Sequence, residues 1–373
     1  MTPAGSRRGT ASWDESDVRI RPNKKGSRPR TKDRPAHEDA VTGRIITVDR
    51  GRYTAVVDED TEAERTVIAA RARELRRSPV VAGDLVSLVG DVSGEPDTLA
   101  RLVRIQDRQT VLRRSADDTD PVERIVVANA EQLVIVVAAA NPEPRTGFID
   151  RALVAAYDAG IQPLLCVTKA DLRDPSVLLA NYEHLDLEII TSRTAETPDA
   201  VPTTSASGAS ALLAHQAIAQ LKELLDGRVS VLLGHSGVGK STLVNALTGA
   251  NRATGGVNAV TGRGRHTSSS AFALKAEDSS PGTWIIDTPG IRSFGLAHVE
   301  PDRILAAFPD LEPGTQDCER GCRHDETAVN CGLDDWVGSG SAGESGPVRL
   351  ASLRRLLGAG AEQVQGSKEL GMH

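Results

Sequence analysis

At 373 residues, with a formal net charge of -7, 39% hydrophobic and only 3% aromatic content, the chain suits two or three globular domains on a prior of ~150 residues each. No run approaches the ~20 apolar residues of a membrane span, and the charged first forty residues lack the apolar core of a secretory signal, so a cytoplasmic protein with no membrane contact is expected. Four cysteines are too few for a disulfide scaffold, and the clustering of Cys318, Cys322 and Cys331 points to a metal instead.

Residues 1–38 are expected to be a basic, disordered arm. Positions 1–34 carry ten Lys or Arg against four acids, so this stretch is +6 and the remainder -13. It has no apolar periodicity from which to build a core, and its sign favours a polyanion such as nucleic acid. A merely solubilising tail fits the same charge.

From residue 39 to 110 the pattern changes to short strands between turns: GRIITV, RYTAVV, ERTVIAA, LVSLVG and LARLVRI. Five strands in so short a span predict a small closed barrel of the OB type. Arg50, Arg52, Arg101, Arg104 and the run RARELRR (71–77) would put positive charge on its rims, where phosphate backbone is the natural partner. An ordinary solvated surface carries such charge too, and a lone Tyr53 gives little support to base stacking.

Residues 111–295 alternate apolar strands with helical stretches. QLVIVVAAA, PLLCVTKAD, LEIITSR and VSVLL are continuous apolar runs of the kind a parallel strand covered on both faces requires. FIDRALVAAYDAG, ended by Gly160, and SALLAHQAIAQLKELLDG, ended by Gly227, supply helices. An α/β core follows. Residues 296–373 hold the Cys/His segment, a Gly/Ser-rich stretch from Val337 to Pro347 that reads as loop, and a short helix VRLASLRRLL. This part is expected to be a zinc-binding and helical domain.

Within the core, GHSGVGKS (Gly234 to Ser241) lies between a strand and a helix and fits the phosphate loop G-x-x-x-x-G-K-[ST]. Gly234, His235, Ser236, Gly237, Val238 and Gly239 form the cradle, in which backbone N–H groups turn towards phosphate. Lys240 is suited to neutralise the β- and γ-phosphates, Ser241 to ligate Mg²⁺, and Thr242 follows in the same helical turn. Further on, WIIDTPG ends a strand at Asp287, which can hold Mg²⁺ through water, with the Gly290 N–H placed to sense a γ-phosphate.

Base choice needs another element. In Thr168-Lys169-Ala170-Asp171 the carboxylate can accept from both the ring N–H and the amine of guanine, and the Lys169 stem can lie along the base. A second candidate is Thr204-Ser205-Ala206, whose Ala206 N–H could donate to the guanine carbonyl. Each also suits a plain solvated loop.

The order of these motifs is the informative part: the base-selecting motifs precede the phosphate loop, the reverse of a Ras-like arrangement. With a barrel in front and a cysteine cluster behind, residues 40 to 360 resemble the family of ribosome small-subunit-dependent GTPase A, also called RsgA, YjeQ or EngC. The resemblance implies a circularly permuted GTPase binding GTP and GDP, working as a monomer on the small (30S) ribosomal subunit and its rRNA during late maturation. It marks GRGRHTSSS (262–270) as the switch segment, with Thr267 as the γ-phosphate and Mg²⁺ residue and His266 as the catalytic candidate; a histidine that only orders the switch is the plainer alternative. Thr168 stands where the family usually carries Asn.

Cys318-x3-Cys322-x-His324-x6-Cys331 offers three thiolates and an imidazole, which suits tetrahedral Zn²⁺; a redox pair competes with that reading. Cys166, inside an apolar strand, reads as a core residue. After Gly290, Ile291 occupies the place of a water-orienting Gln, so unaided turnover is expected to be slow and a partner to help. The rival readings are a nucleotide-gated, non-catalytic RNA-binding scaffold and an ATP-dependent phosphotransferase.

Overall fold

The structure, a computed structural model, describes residues 37–75, 78–115, 123–183, 185, 187–193, 215–250, 271–288, 296 and 299–369. Residues 1–36 of the basic arm and the sequence-predicted residues Ser205, Ala206, His266, Thr267, Gly290 and Ile291 lie outside them. All elements below belong to one compact unit, Asp39–His373.

Five strands, β1 (Val41–Asp49), β2 (Arg52–Val57), β3 (Arg65–Arg71), β4 (Leu85–Gly90) and β5 (Ala100–Ile105), run in the order β1-β2-β3-β5-β4, and a β1–β4 pairing closes the ring. Only β3 and β5 are parallel. Alternate residues point inward: Ile45, Ala55, Val57, Val67, Ala69, Val86, Leu88, Ala100 and Leu102 fill the barrel. The five strands expected from the sequence are all present, as is the OB-type closure.

A separate antiparallel ribbon, β6 (Val111–Arg114) with β7 (Arg124–Ala128), joins barrel to core. It was not anticipated, because VLRR and RIVVA are short and arginine-bearing.

The core alternates β8 (Gln132–Ala138), α1 (Thr146–Asp158), β9 (Gln162–Thr168), the short α2 (Ser176–Leu179), β10 (Glu188–Thr191), α3 (His215–Leu225), β11 (Val229–Leu233) and α4 (Lys240–Thr248), followed by β12 (Phe272–Lys275) and β13 (Trp284–Asp287). Strand order is β10-β9-β8-β11-β13-β12, with only β12 antiparallel to its neighbour. Every residue of β8 is buried. Leu133, Ile135 and Val137 face α1, whereas Val134, Val136 and Ala138 face α3 and α4, which is why the run is continuously apolar. The sheet grows leftward from β8 through β9 and β10 and rightward through β11, so the carboxyl ends of β8 and β11 flank a topological switch point, where α/β sheets hold ligands.

Behind the core come α5 (Pro301–Ala306), α6 (Gly332–Gly338) and α7 (Gly346–Glu369). Here two expectations need correcting. Of the Gly/Ser-rich stretch from Val337 to Pro347 only residues 339–345 are loop, because Val337 and Gly338 end α6 and Gly346 and Pro347 begin α7. The final helix runs 24 residues rather than stopping before Gly358. Among the described residues, no helix is long and apolar enough to cross a membrane.

Candidate nucleotide site and metal cluster

Because β9, β11 and β13 are parallel, the segments that follow them emerge on one edge of the sheet. Thr168-Lys169-Ala170-Asp171, GHSGVGKS and the Asp287 end of β13 are thereby gathered.

The phosphate loop leaves β11 and enters α4 through Gly239, which caps the helix at φ 91°, a conformation L side chains rarely adopt. Gly234 is required for a different reason: a Cβ there would lie 2.6 Å from the Val136 carbonyl oxygen of β8. Two side chains at the end of β9 hold this loop. The buried Thr168 hydroxyl donates to the Val238 carbonyl at 2.5 Å and lies 3.2 Å from that of Val137. The Lys169 ammonium donates to the Gly237 carbonyl at 2.8 Å and also to that of Asn141. Lys169 itself sits at φ 57°. The His235 ring stacks at a tilt on Phe148 of α1, with centroids 4.2 Å apart.

On the other side, Lys240 and Asp287 are both buried and ion-paired with one another. The Thr288 hydroxyl donates to the Leu232 carbonyl at 2.6 Å, fixing the strand end against β11. Ser241 is exposed at the helix start, with Thr242 half-buried behind it, and Asp171 is exposed beyond Lys169. A helix N-terminus with an ammonium, a hydroxyl and a carboxylate converging on it is the arrangement that phosphate and its counter-ion require.

Sequence reasoning passed over Ser192. It follows β10 directly, takes the Ala170 N–H on its carbonyl at 3.1 Å, and gives its own N–H to Val167 at 2.8 Å. Its buried hydroxyl has no hydrogen-bond partner among the described residues. The signal was there in LEIITSR, had the strand been ended at Thr191.

The second cluster lies behind the core. The ligand atoms of Cys318, Cys322, His324 and Cys331 lie within 4.8 Å of one another. Cys318 Sγ and Cys331 Sγ are 3.9 Å apart, and each is 3.5 Å from His324 Nδ1. A tetrahedral ion with bonds of ~2.3 Å to sulfur and ~2.0–2.1 Å to nitrogen demands edges of about 3.8 and 3.5–3.6 Å. The cluster therefore fits one metal ion, whereas a disulfide would need ~2.05 Å between sulfurs; all four cysteines are free. The Gly332 N–H donates to Cys318 Sγ at 3.2 Å. Burial pushes the Cys331 thiol up to about 11 and holds His324 below its ordinary value. The imidazole is thus kept in its neutral, ligating form, and the thiol needs a cation's field to ionise. Cys166 is fully buried, and burial lifts its thiol to about 12, as suits an inert core residue.

The metal-bearing segment is fastened to the core by a buried polar network. Arg349 of α7 donates two bonds of 3.0 Å to Asp310 and stacks 4.4 Å from the Phe308 ring centroid. The Ser352 hydroxyl, also on α7, donates to Asp150 of α1.

The model of the RsgA GTPase family matches residues 105–297, just over half of the chain. The chain belongs to that family. Members named small ribosomal subunit biogenesis GTPase RsgA include one from Pseudomonas aeruginosa, 40% identical over 237 residues, and one from Azotobacter vinelandii, 37% identical over 243. These alignments take in 62% of this chain and 63% and 62% of the relatives, so the chain matches less than two thirds of their length. Among solved structures, YjeQ from Thermotoga maritima superposes with a TM-score of 0.58 at 23% identity, covering 86% of this chain and 99% of that one. YloQ, described as a circularly permuted GTPase, gives 0.57 at 20% identity, covering 88% and 98%. The RsgA fold, with an OB-type barrel ahead of a permuted α/β core and a Cys/His segment behind it, is the fold seen here.

Proposed function

We propose that this protein hydrolyses GTP in the cytoplasm and assists maturation of the small ribosomal subunit, with its activity stimulated by that subunit. One observation carries the guanine-nucleotide reading: Thr168 and Lys169, in the base-selecting motif, hydrogen-bond directly to the phosphate-loop carbonyls of Val238 and Gly237. These bonds support a single site in which the proposed base reader and phosphate reader act together. In this reading Asp171 selects guanine, the loop from Gly234 to Gly239 cradles phosphate, and Lys240 leaves Asp287 to meet the β- and γ-phosphates. Ser241 and Asp287 would hold Mg²⁺, which supplies charge neutralisation at the transferred phosphoryl group. Thr267, Gly290 and His266 enter on their sequence pattern alone. Zn²⁺ is the ion the Cys3His set suits best, in a closed structural site. The subunit role is supported by the names of the relatives, and the arginines on the barrel, Arg52, Arg71, Arg101 and Arg104, all on β2, β3 and β5, are suited to rRNA phosphate.

The nucleotide assignment is tested by competition against labelled GDP. GTP should compete far better than ATP, and Asp171→Asn should weaken GTP while improving xanthosine triphosphate, because an amide donor repels guanine's N–H and suits xanthine's carbonyl. Equal competition by ATP and GTP, or an Asp171→Asn protein with parental affinities, would remove guanine selection from the account.

A further inference from the structure

The barrel and the nucleotide core share one sheet. Thr47 of β1 pairs with Phe272 of β12, so barrel and core strands form a continuous eleven-stranded array. Where they meet, the β2–β3 loop of the barrel presents five acids in seven residues, Asp58, Glu59, Asp60, Glu62 and Glu64. Three of them reach the β12–β13 hairpin. Asp60 accepts from the Lys275 ammonium at 2.6 Å and from the Gly282 N–H at 2.7 Å, and Glu64 accepts from the same ammonium. Glu59 accepts from the Trp284 indole N–H at 2.5 Å and from Arg44 at 2.9 Å. Arg44 and Lys275 lie 5.9 and 5.6 Å from the Trp284 ring centroid.

This hairpin is placed to matter. Trp284, held by the barrel, and Asp287, paired with the phosphate-loop Lys240, are the two ends of β13 and stand about 10 Å apart at ~3.3 Å per residue. A strand in register with neighbours on both sides transmits a shift along its length, because its ladder bonds allow few intermediate positions. The clamp is polar and part-exposed, with Lys275 35%, Asp60 24% and Glu64 29% accessible. A permanent joint would be apolar, whereas polar interfaces within a chain are the ones that allow relative movement. Burial opposes ionisation of Asp60, but the hydrogen bonds from Lys275 and Gly282 outweigh it and hold the carboxyl below its usual range. For Lys275, burial is likewise outweighed by its two acid partners, which raise it. Both shifts favour the charged forms of Asp60 and Lys275.

We infer that the acidic β2–β3 loop is the regulatory contact between barrel and nucleotide site: through Lys275 and Trp284 it couples RNA engagement by the barrel to the position of Asp287. Such coupling is reciprocal, so nucleotide state biases the barrel as RNA engagement biases the site. The inference rests on the GTPase reading, and two assays keep the two apart.

The first compares GTP turnover of the full chain with and without purified small subunits for the parent, Lys275→Met, Glu59→Gln, and the exchanged pair Asp60→Lys with Lys275→Asp. The single variants should retain basal turnover to within about twofold and lose at least about fivefold of the subunit stimulation, and the exchanged pair should regain part of it. Stimulation as strong in Lys275→Met and Glu59→Gln as in the parent overturns the coupling. The second assay needs no subunit. Hydrogen exchange in residues 58–64 should differ between GDP and a non-hydrolysable GTP analogue in the parent and not in Lys275→Met. Identical exchange in the parent under both nucleotides overturns the inference, whatever becomes of the ribosomal reading.

Discussion

Thr168 offers the sharpest single-atom test of the nucleotide site. Thr168→Val keeps the volume and the β-branch of a residue buried in β9 and removes only the hydroxyl, which donates to the Val238 carbonyl at 2.5 Å. A buried hydrogen bond contributes ~1 kcal/mol net, and an acceptor left unpaired costs ~1–3 kcal/mol. About 1–2 kcal/mol should therefore be lost. Because the other end of this tether is the phosphate loop, the loss falls on loop order and appears as a nucleotide affinity roughly 5- to 30-fold weaker, at 1.4 kcal/mol per decade. GDP and GTP should suffer alike, since both use the loop, and preference for guanine over xanthine should persist because Asp171, the proposed base reader, is left in place. The assay is equilibrium binding of fluorescent GDP with competition by GTP and xanthosine triphosphate. Thr168→Ser retains the hydroxyl and should bind within about threefold of the parent. A valine variant that binds as the parent does, or a serine variant as weak as valine, would refute the tether.

Two further outcomes are expected. Freshly purified protein should carry about one Zn²⁺ per chain by metal analysis, and Cys322→Ala should lose it together with local order in α6 while nucleotide binding largely survives, because the phosphate loop belongs to a separate part of the core; protein without zinc would refute the assignment. Burial raises the Asp150 carboxyl above its ordinary value, against hydrogen bonding from Ser352 and the nearby Arg349 charge. The folded chain therefore holds a proton there that an unfolded aspartate releases near pH ~3.9. This contribution is complete below about pH 4 and shrinks as pH rises through the folded value. Melting temperatures between pH 4 and 8 should fall with a smaller slope in Asp150→Asn than in the parent, and equal slopes would contradict it.

What the sequence made legible was whatever local spacing controls. Gly234, Gly237, Gly239 and Lys240 announce a phosphate loop because no other common structure needs that pattern, and QLVIVVAAA announces a strand covered on both faces. Barrel strands showed through their alternation. The permutation showed through motif order alone. Pairings between distant segments were not legible. Nothing local in Thr168 points to Val238, nothing in Lys240 to Asp287, and nothing in the acidic β2–β3 loop to Lys275 and Trp284, more than 200 positions away. Helix α7 continues past Gly358, a residue that costs ~1 kcal/mol relative to alanine inside a helix and is therefore a poor local signal for its length.

A GTPase driven by the small ribosomal subunit is tested most directly by the rate of phosphate release from GTP by the full chain, alone and with purified small subunits at physiological salt. Slow turnover alone, rising tenfold or more with subunits and remaining flat with large subunits, is the predicted result, well within the ~10³–10⁵ an activating group can supply. Equal rates with and without small subunits would contradict it.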